Sequence, residues 1–297
     1  MIKPLNSRPT LDLSLIVPNY NQEAYLEDFL DSVVESSHWP RELILVDDGS
    51  TDNSLRIISS FESLPFLVCI PSSPNKGLVH ALNMGLEKAT GKFIARADPD
   101  DILMPHRLVT QVRYLEDHPG IDVVGANVIY FITNPQQPIN YSDFPQYHDK
   151  IIARYARGDN GIQHPTLCAR AHVFHQLRYT EGAVRHEDYL LICEIINRGY
   201  RLANIPDVLY AMRIHPESAT STTDITPIRQ TFSIRDHYFG KKTTQFEIYR
   251  WYFYIRLYRL GQLSQNRIQR FVCFALAGIM QPDKFWKRMI SGLRLTK

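Results

Sequence analysis

Three carboxylates stand within four residues at Asp98-Pro99-Asp100-Asp101, directly after the apolar run Phe93-Ile94-Ala95-Arg96-Ala97. Like charges that close repel one another and oppose their own ionisation, so a cation lying among them is the simplest explanation of the cluster. No thiol or imidazole belongs to it, which makes the cation hard and oxygen-seeking, Mn2+ or Mg2+, of the kind that grips substrate phosphates. The same residues admit a second reading, in which Asp100 or Asp101 caps a helix beginning near Met104-Pro105. A further acidic pair, Glu187-Asp188, offers a carboxylate that could take the proton of an attacking hydroxyl. Its alternative is a pair of first-turn acids favoured by the helix macrodipole. His164 either faces a bound ligand or is a satisfied structural histidine, and His215 is either a metal ligand or a loop histidine.

The elements around these residues alternate in type. Apolar runs at Leu13–Val17, Leu43–Val46, Phe66–Ile70, Lys92–Ala97 and Asp122–Ile129 read as strands. Helical patterns lie between them at Glu23–Val34, Leu55–Ile58, Lys76–Lys88 and Pro105–Asp117. Repeated βα units of this kind predict a mostly parallel sheet covered on both faces by helices. Ligands of such a sheet bind beyond the carboxyl ends of its strands, where Pro18-Asn19-Tyr20-Asn21, Asp47-Asp48-Gly49 and Asp98–Asp101 all fall. The Pro-, Asn- and Gln-rich stretch Phe131–Gln146 reads as a loop or lid over that edge. Helices near Lys150–Ala156 and Glu187–Arg198 and strands near Pro165–Ala169 and Val208–Met212 follow, then a Ser/Thr-rich linker, Ser218–Thr226.

Charge is unevenly spread along the 297 residues, whose formal net charge is only +2. From Thr226 onward 14 Lys and Arg face 3 acids, so an acidic body precedes a strongly basic tail. In that tail Phe246, Tyr249, Trp251, Tyr252, Phe253, Tyr254, Leu257 and Tyr258 interleave with Arg250, Arg256 and Arg259, which predicts an amphipathic aromatic and basic helix. It would lie on an anionic membrane surface, or pack on the catalytic domain or on a second subunit. Nucleic acid fits the charge and nothing else. Cys69, Cys168, Cys193 and Cys273 read as buried thiols of a reducing cytoplasm, and no signal peptide or membrane span is expected. A cytoplasmic protein, peripheral at most to the inner face of the membrane, is the resulting expectation. Five residues separate Gly85 from Gly91 where a phosphate loop needs four, no Gly-x-Gly-x-x-Gly follows the first strand, and zinc-type Cys/His spacing is absent.

In order and spacing, Val17-Pro18-Asn19-Tyr20-Asn21, Asp47-Asp48-Gly49-Ser50-Thr51-Asp52, Asn75-Lys76-Gly77 with Ala81-Leu82-Asn83, Gly91 to Asp101, His164-Pro165, Glu187-Asp188-Tyr189-Leu190 and Arg213-Ile214-His215-Pro216-Glu217-Ser218 resemble the family 2 inverting nucleotide-sugar glycosyltransferases. The resemblance covers about residues 12 to 220 and not the tail. It implies the GT-A fold, a mostly parallel central sheet flanked by helices, with a nucleotide-binding half over 12–130 and an acceptor half over 131–220. Residues 221–297 would form a basic, aromatic helical extension, and a homo-oligomer is one partner option.

Carried over residue by residue, the resemblance implies that Pro18, Tyr20 and Asp47 or Asp48 hold the nucleotide base, with Asn21 and Lys76 in the same binding set. Asp98 would contact the ribose or the metal, and Asp100 would bind the Mn2+ or Mg2+ that bridges two phosphates, with His215 as a further ligand. Asp188 would be the general base with Glu187 beside it, Arg213 would close over the pyrophosphate, and His164 would face the sugars. Family members often carry Arg where this chain has Leu82, so that phosphate contact is missing or is supplied by Arg96 or Lys76. The implied reaction moves a sugar from a nucleoside diphosphate, UDP favoured, to a hydroxyl of a saccharide or lipid-linked acceptor of a surface glycan. The competing readings are a sugar-phosphate nucleotidyltransferase and a non-catalytic nucleotide-binding module.

Overall fold

The structure is a computed structural model that describes residues 8–183, 185–215, 224–264 and 266–282. The Pro216-Glu217-Ser218 end of the last motif and most of the Ser/Thr-rich stretch lie outside the described residues. The chain divides into two compact units, one formed by Met1–Tyr155 and Asp159–Ile214, the other by Ala156–Gly158 and His215–Lys297.

In the first unit β1 (Thr10–Asn19), β2 (Trp39–Asp47), β3 (Leu67–Pro71) and β4 (Phe93–Arg96) form a parallel half-sheet in the order β3-β2-β1-β4. The runs Leu15–Val17 and Leu43–Val46 are apolar without interruption because both faces of the sheet are covered there. Leu13, Leu15, Val17, Leu43 and Leu45 join the main core, whereas Ile44 and Val46 face Ala81 on the opposite side. The helix α1 (Leu26–Val34) buries Leu26, Phe29, Leu30 and Val33 completely, at the three- and four-residue spacing of a single helical face. Each such side chain contributes on the order of 1.5–3 kcal/mol by leaving water. Two further helices, α2 (Ser54–Ser60) and α3 (Leu78–Lys88), connect the strands of this half.

Beyond β4 antiparallel strands enter, while most of the paired length of the sheet stays parallel, as expected. Next to β4 lies antiparallel β8 (Cys168–Arg170), then β6 (Val123–Phe131), which pairs in parallel with β9 (Leu202–Arg213). Two-residue strands β5 (Ile102–Leu103) and β7 (Asn140–Tyr141) add antiparallel pairs to β9 and β6. The β6–β9 register shifts around Asn127, whose side-chain amide donates to the Pro206 carbonyl at 2.9 Å. Pro206 has no N–H for the ladder, so a bulge there is the expected accommodation.

The stretch read as a lid is tied down at its far end. Ser142 and the Phe144 N–H donate to the Asn127 side-chain carbonyl at 2.9 and 2.8 Å, and Asn204 donates to the Pro145 carbonyl at 2.7 Å. The helices α4 (Arg107–Asp117), α5 (His148–Tyr155), α6 (Ala171–Gln176) and α7 (Glu187–Asn197) complete the unit. Cys168 and Cys193 are buried as expected, but Cys69 faces solvent because β3 is an edge strand.

The second unit holds α8 (Thr226–Phe239), α9 (Gln245–Leu263) and α10 (Arg267–Met280). A left-handed Gly240 ends α8, and Thr244 with Glu247 forms a reciprocal capping box that starts α9. The helix expected over Phe246–Arg259 is α9, and its aromatic residues occupy several faces, with Tyr254 buried and Phe246, Tyr249 and Phe253 exposed. No described helix is long and apolar enough to cross a membrane.

Candidate active site

The acidic cluster occupies the short connection between β4 and β5. Asp98, Asp100 and Asp101 each present a carboxylate oxygen, and the three oxygens lie within 4.8 Å of one another. The opposite wall is β9. Its Tyr210 hydroxyl accepts the Asp98 N–H at 2.9 Å, its Arg213 N–H donates to Asp101 at 2.7 Å, and Arg213 Nε donates to the Asp100 carbonyl at 3.0 Å. Burial, then Asp100 and Asp98, push the Asp101 carboxyl well above the usual carboxylate range, against the Arg213 N–H and the Tyr210 hydroxyl. Burial also raises Asp98, with Arg96 opposing it. An all-oxygen cradle whose negative charge is unfavourable when uncompensated fits a hard divalent cation. The helix-cap reading does not hold: α4 begins at Arg107, its N-cap His106 makes no side-chain capping bond, and Asp101 is turned onto β9.

Arg96 is the centre of the site. Its guanidinium grips Asp98 with both terminal nitrogens, one of them at 3.1 Å from Oδ2. Burial disfavours its charge, but Asp98, Tyr179, Tyr210 and Glu187 together hold its pKa above the usual arginine value. It is therefore a buried ion-pair partner, a role that removes it as a substitute for the missing phosphate-binding arginine. Under it, Arg107 is fully buried and donates to the Arg96 carbonyl at 2.6 Å, to the Pro165 carbonyl at 2.7 Å and to Gln111 at 3.1 Å. Gln111, one turn along α4, donates to the Thr166 carbonyl at 2.6 Å. These two polar residues on an otherwise apolar face fix the end of β4 against the His164–Thr166 turn.

Glu187 and Asp188 open α7. Burial, followed by Asp188, raises the Glu187 carboxyl, and burial raises Asp188 against the Tyr189 N–H, Arg96 and Asn160. Asn160 donates to Asp188 Oδ2 at 3.1 Å, and the Tyr189 N–H donates to Oδ1 at 2.6 Å. Burial raises the Tyr179 hydroxyl against Arg96, and Glu187, Asp188 and Asp98 raise it further, so this tyrosine feels a carboxylate from each acidic group. His164 is buried there, with Nε2 2.7 Å from the Tyr179 hydroxyl, and burial and then Arg96 hold its pKa well below the usual imidazole value. Burial thus favours its neutral form. Tyr179 itself is anchored by Asn83, which bonds both its N–H and its carbonyl, at 3.0 and 2.9 Å.

At the ends of β1 and β2 the carboxylates are already engaged by the chain. Asp47 accepts from Asn19 at 2.7 Å and from the Ser50 N–H and hydroxyl at 2.9 and 2.7 Å. Asp48 accepts from the Lys76 N–H at 3.1 Å and the Gly77 N–H at 2.6 Å. The turn between them needs Gly49, with φ +79°, because a Cβ there would lie 3.1 Å from the Asn75 nitrogen. Asn21, also at positive φ, accepts the Thr51 N–H at 2.8 Å. Pro18 is buried in register with Val46, while Tyr20 and the Lys76 side chain are exposed.

The Arg213 guanidinium is occupied: it pairs with Asp28 at 2.8 Å and lies over the Tyr25 and Phe131 rings. It also braces the acidic loop through its Nε on the Asp100 carbonyl. His215 opens the second unit and is not a member of the acidic triad. The residues that sequence reasoning missed are Tyr179, Tyr210, Arg107 and Asn160. Only Arg107 and Gln111 carried a local signal, as polar residues four apart among Leu108, Val112 and Leu115.

Comparison with known proteins agrees with this geometry. The family described as Glycosyl transferase family 2 matches residues 14–177. The amylovoran biosynthesis glycosyltransferase AmsE of Erwinia amylovora is 34% identical over 213 residues, 67% of this chain and 75% of that protein. The putative glycosyltransferase EpsE of Bacillus subtilis is 32% identical over 221 residues, 70% of this chain and 74% of its own length. Among solved structures, the mannosyltransferase PcManGT of Pyrobaculum calidifontis, in complex with GDP-Man and Mn2+, shares the fold at a TM-score of 0.61 and 19% identity, covering 98% of this chain and 90% of its own. S. aureus TarS in complex with UDP-GlcNAc does so at 0.60 and 18%, over 90% of this chain and 80% of its own. With the matched profile spanning more than half of the residues and the acidic loop at the carboxyl edge of a GT-A sheet, the chain belongs to glycosyl transferase family 2 and is a glycosyltransferase.

Proposed function

We propose that this glycosyltransferase is metal-dependent and inverting, and that it moves a sugar from a nucleoside diphosphate, UDP in preference to GDP, to a hydroxyl of a saccharide or lipid-linked acceptor in surface glycan assembly. The observation that carries the reading is the loop of Asp98, Asp100 and Asp101, whose carboxylate oxygens lie within 4.8 Å of one another where the loop follows β4, with Asp98 paired to Arg96. Asp100 and Asp98 would hold Mn2+ or Mg2+, which when bound neutralises the charge developing on the leaving diphosphate. Asp188 takes the proton of the acceptor hydroxyl as its oxygen attacks the anomeric carbon. The bond from that carbon to the phosphate oxygen breaks, and its electron pair leaves with the diphosphate. One displacement by one base inverts the anomeric centre and needs no covalent sugar intermediate. Asn160 and the Tyr189 N–H orient the base, while Pro18, Tyr20 and Asp48 line the base-binding end.

Solved relatives of this fold with UDP-GlcNAc, with GDP-Man and Mn2+, and with Mn2+ and uridine diphosphate support both the donor class and the metal, and the amylovoran biosynthesis role of AmsE supports a glycan product. A panel of nucleotide sugars, assayed for released nucleoside diphosphate with and without Mn2+, tests the reading. Release from a UDP-sugar that requires metal and is lost in Asp100→Ala supports it. Release that is independent of metal, or retained in Asp100→Ala, overturns the metal assignment. Binding of UDP with no turnover of any donor would restore the non-catalytic module.

A further inference from the structure

In the second unit, α9 and α10 leave two apolar stripes uncovered among the described residues. On α9, Phe246, Tyr249, Phe253 and Leu260 are exposed at spacings of three, four and seven, so they share one face. Arg250 and Arg256 are also exposed, each three residues from Phe253 on opposite sides, which sets them about 60° to either flank of the stripe. On α10, Ile268, Phe271, Val272, Leu276 and Ile279 are exposed, three of them by more than 70%, while Cys273 and Ala277 turn inward. Tyr258 of α9 lies 5.4 Å from Phe274 of α10, so the two helices pack on each other by other faces. Exposed apolar surface on this scale marks a contact with something.

We propose that the α9–α10 hairpin docks in the plane of an anionic lipid surface, with its apolar stripes in the headgroup and upper acyl region and its arginines among the lipid phosphates. Charge complementarity selects this occupant. Residues from Thr226 onward carry a net charge of +11, and 283–297 alone supply five Lys and Arg against one acid. A second copy of the chain meeting the stripes face to face would bring the flanking arginines together with few acids to compensate them, since Asp236 and Glu247 are the acids of α8 and α9 and both are used in local hydrogen bonds. A spanning arrangement fits neither helix: the 14 residues of α10 reach about 21 Å, short of the roughly 30 Å hydrocarbon core, and the 19-residue α9 carries Glu247, Arg250, Arg256 and Arg259 along its length. Docking is independent of the donor sugar and of the chemistry in the first unit.

Flotation of the full chain with vesicles tests the proposal. Vesicles of phosphatidylcholine alone are compared with vesicles of equal parts phosphatidylcholine and phosphatidylglycerol, at low and high salt. The chain is expected to float with the anionic vesicles, less so at high salt. Ile268→Ser with Phe271→Ser should lower partitioning by about tenfold per side chain. Arg250→Glu with Arg256→Glu should lower it on anionic vesicles only, and this second variant keeps the test open if the first misfolds by circular dichroism. The proposal is overturned if the wild-type chain stays with the unbound fraction on anionic vesicles, or if both variants float as wild type does. It is also overturned if sedimentation shows a dimer that the Ser variant converts to monomer while vesicle binding is unaffected.

Discussion

Replacing Asp188 by Asn removes a base while nearly preserving shape. The Tyr189 N–H, 2.6 Å from Oδ1, still meets a carbonyl, and the exposed Asn160, 3.1 Å from Oδ2, can flip its amide so that its own carbonyl accepts from the new NH2 group. A carboxylate whose pKa burial already raises loses little by becoming neutral, so the fold should change by less than about 1 kcal/mol. Catalysis should not be spared. A positioned general base contributes roughly 10²–10⁴ in rate, about 2.7–5.4 kcal/mol at the transition state. Asp188→Asn is therefore expected to lower kcat by that factor with KM for the donor unchanged, measured as nucleoside diphosphate release under saturating donor. The pH profile adds a second reading. Activity requires the ionised form, so it is lost as pH falls through the raised Asp188 pKa, at a higher pH than the ordinary value of 3.8 would give. Removing the Asn160 donor destabilises the charged form and moves that acid limb higher still. A hydrogen bond to a charged group is worth about 1.5–3 kcal/mol at most, and partial solvent access reduces it, so Asn160→Ala should shift the limb by roughly half a unit to one unit. An Asp188→Asn enzyme that keeps more than about a tenth of wild-type kcat would refute the assignment of the base.

Three further outcomes follow from the same geometry. Tyr210→Phe leaves the Asp98 N–H without its acceptor and Asp101 without a donor, which should cost about 1–3 kcal/mol in denaturant unfolding and weaken Mn2+ binding in a calorimetric titration. His164 stays neutral in the fold while its unfolded counterpart binds a proton near pH 6.5, so wild-type stability should fall as pH drops below that value, by up to about 1.4 kcal/mol per unit, and His164→Gln should flatten that slope in urea melts. Arg107→Met strands the carbonyls of Arg96 and Pro165, and a loss of thermal stability under about 1 kcal/mol would show that relief of the buried charge offsets them.

What the sequence revealed was set by how local each signal is. The strands β1, β2, β4 and β6 and the helices α1 and α4 announce themselves in runs and periodicities of neighbouring residues. The two-residue strands β5 and β7 have no pattern of their own, and antiparallel β8 becomes a neighbour of β4 only after 71 residues of intervening chain. The site divides the same way. The acids Asp98, Asp100, Asp101, Glu187 and Asp188 stand in compact clusters, so their chemistry was readable. Their orienting partners were not, because Tyr210 is 112 residues from Asp98 and Asn160 is 28 from Asp188. Arg213 illustrates the converse: its motif is legible, yet Asp28, Tyr25 and Phe131, which occupy its guanidinium, come from distant segments.

The attachment of the acidic loop to β9 also governs when that loop can open. The Asp98 N–H is held by a side chain of β9, and the Arg213 N–H by a side chain of the loop. Neither amide can exchange its hydrogen with solvent unless strand and loop part company. These amides, far apart in the chain, should therefore exchange with deuterium as one cooperative set, and a divalent cation added to the protein should slow the exchange of Arg213 along with that of Asp98.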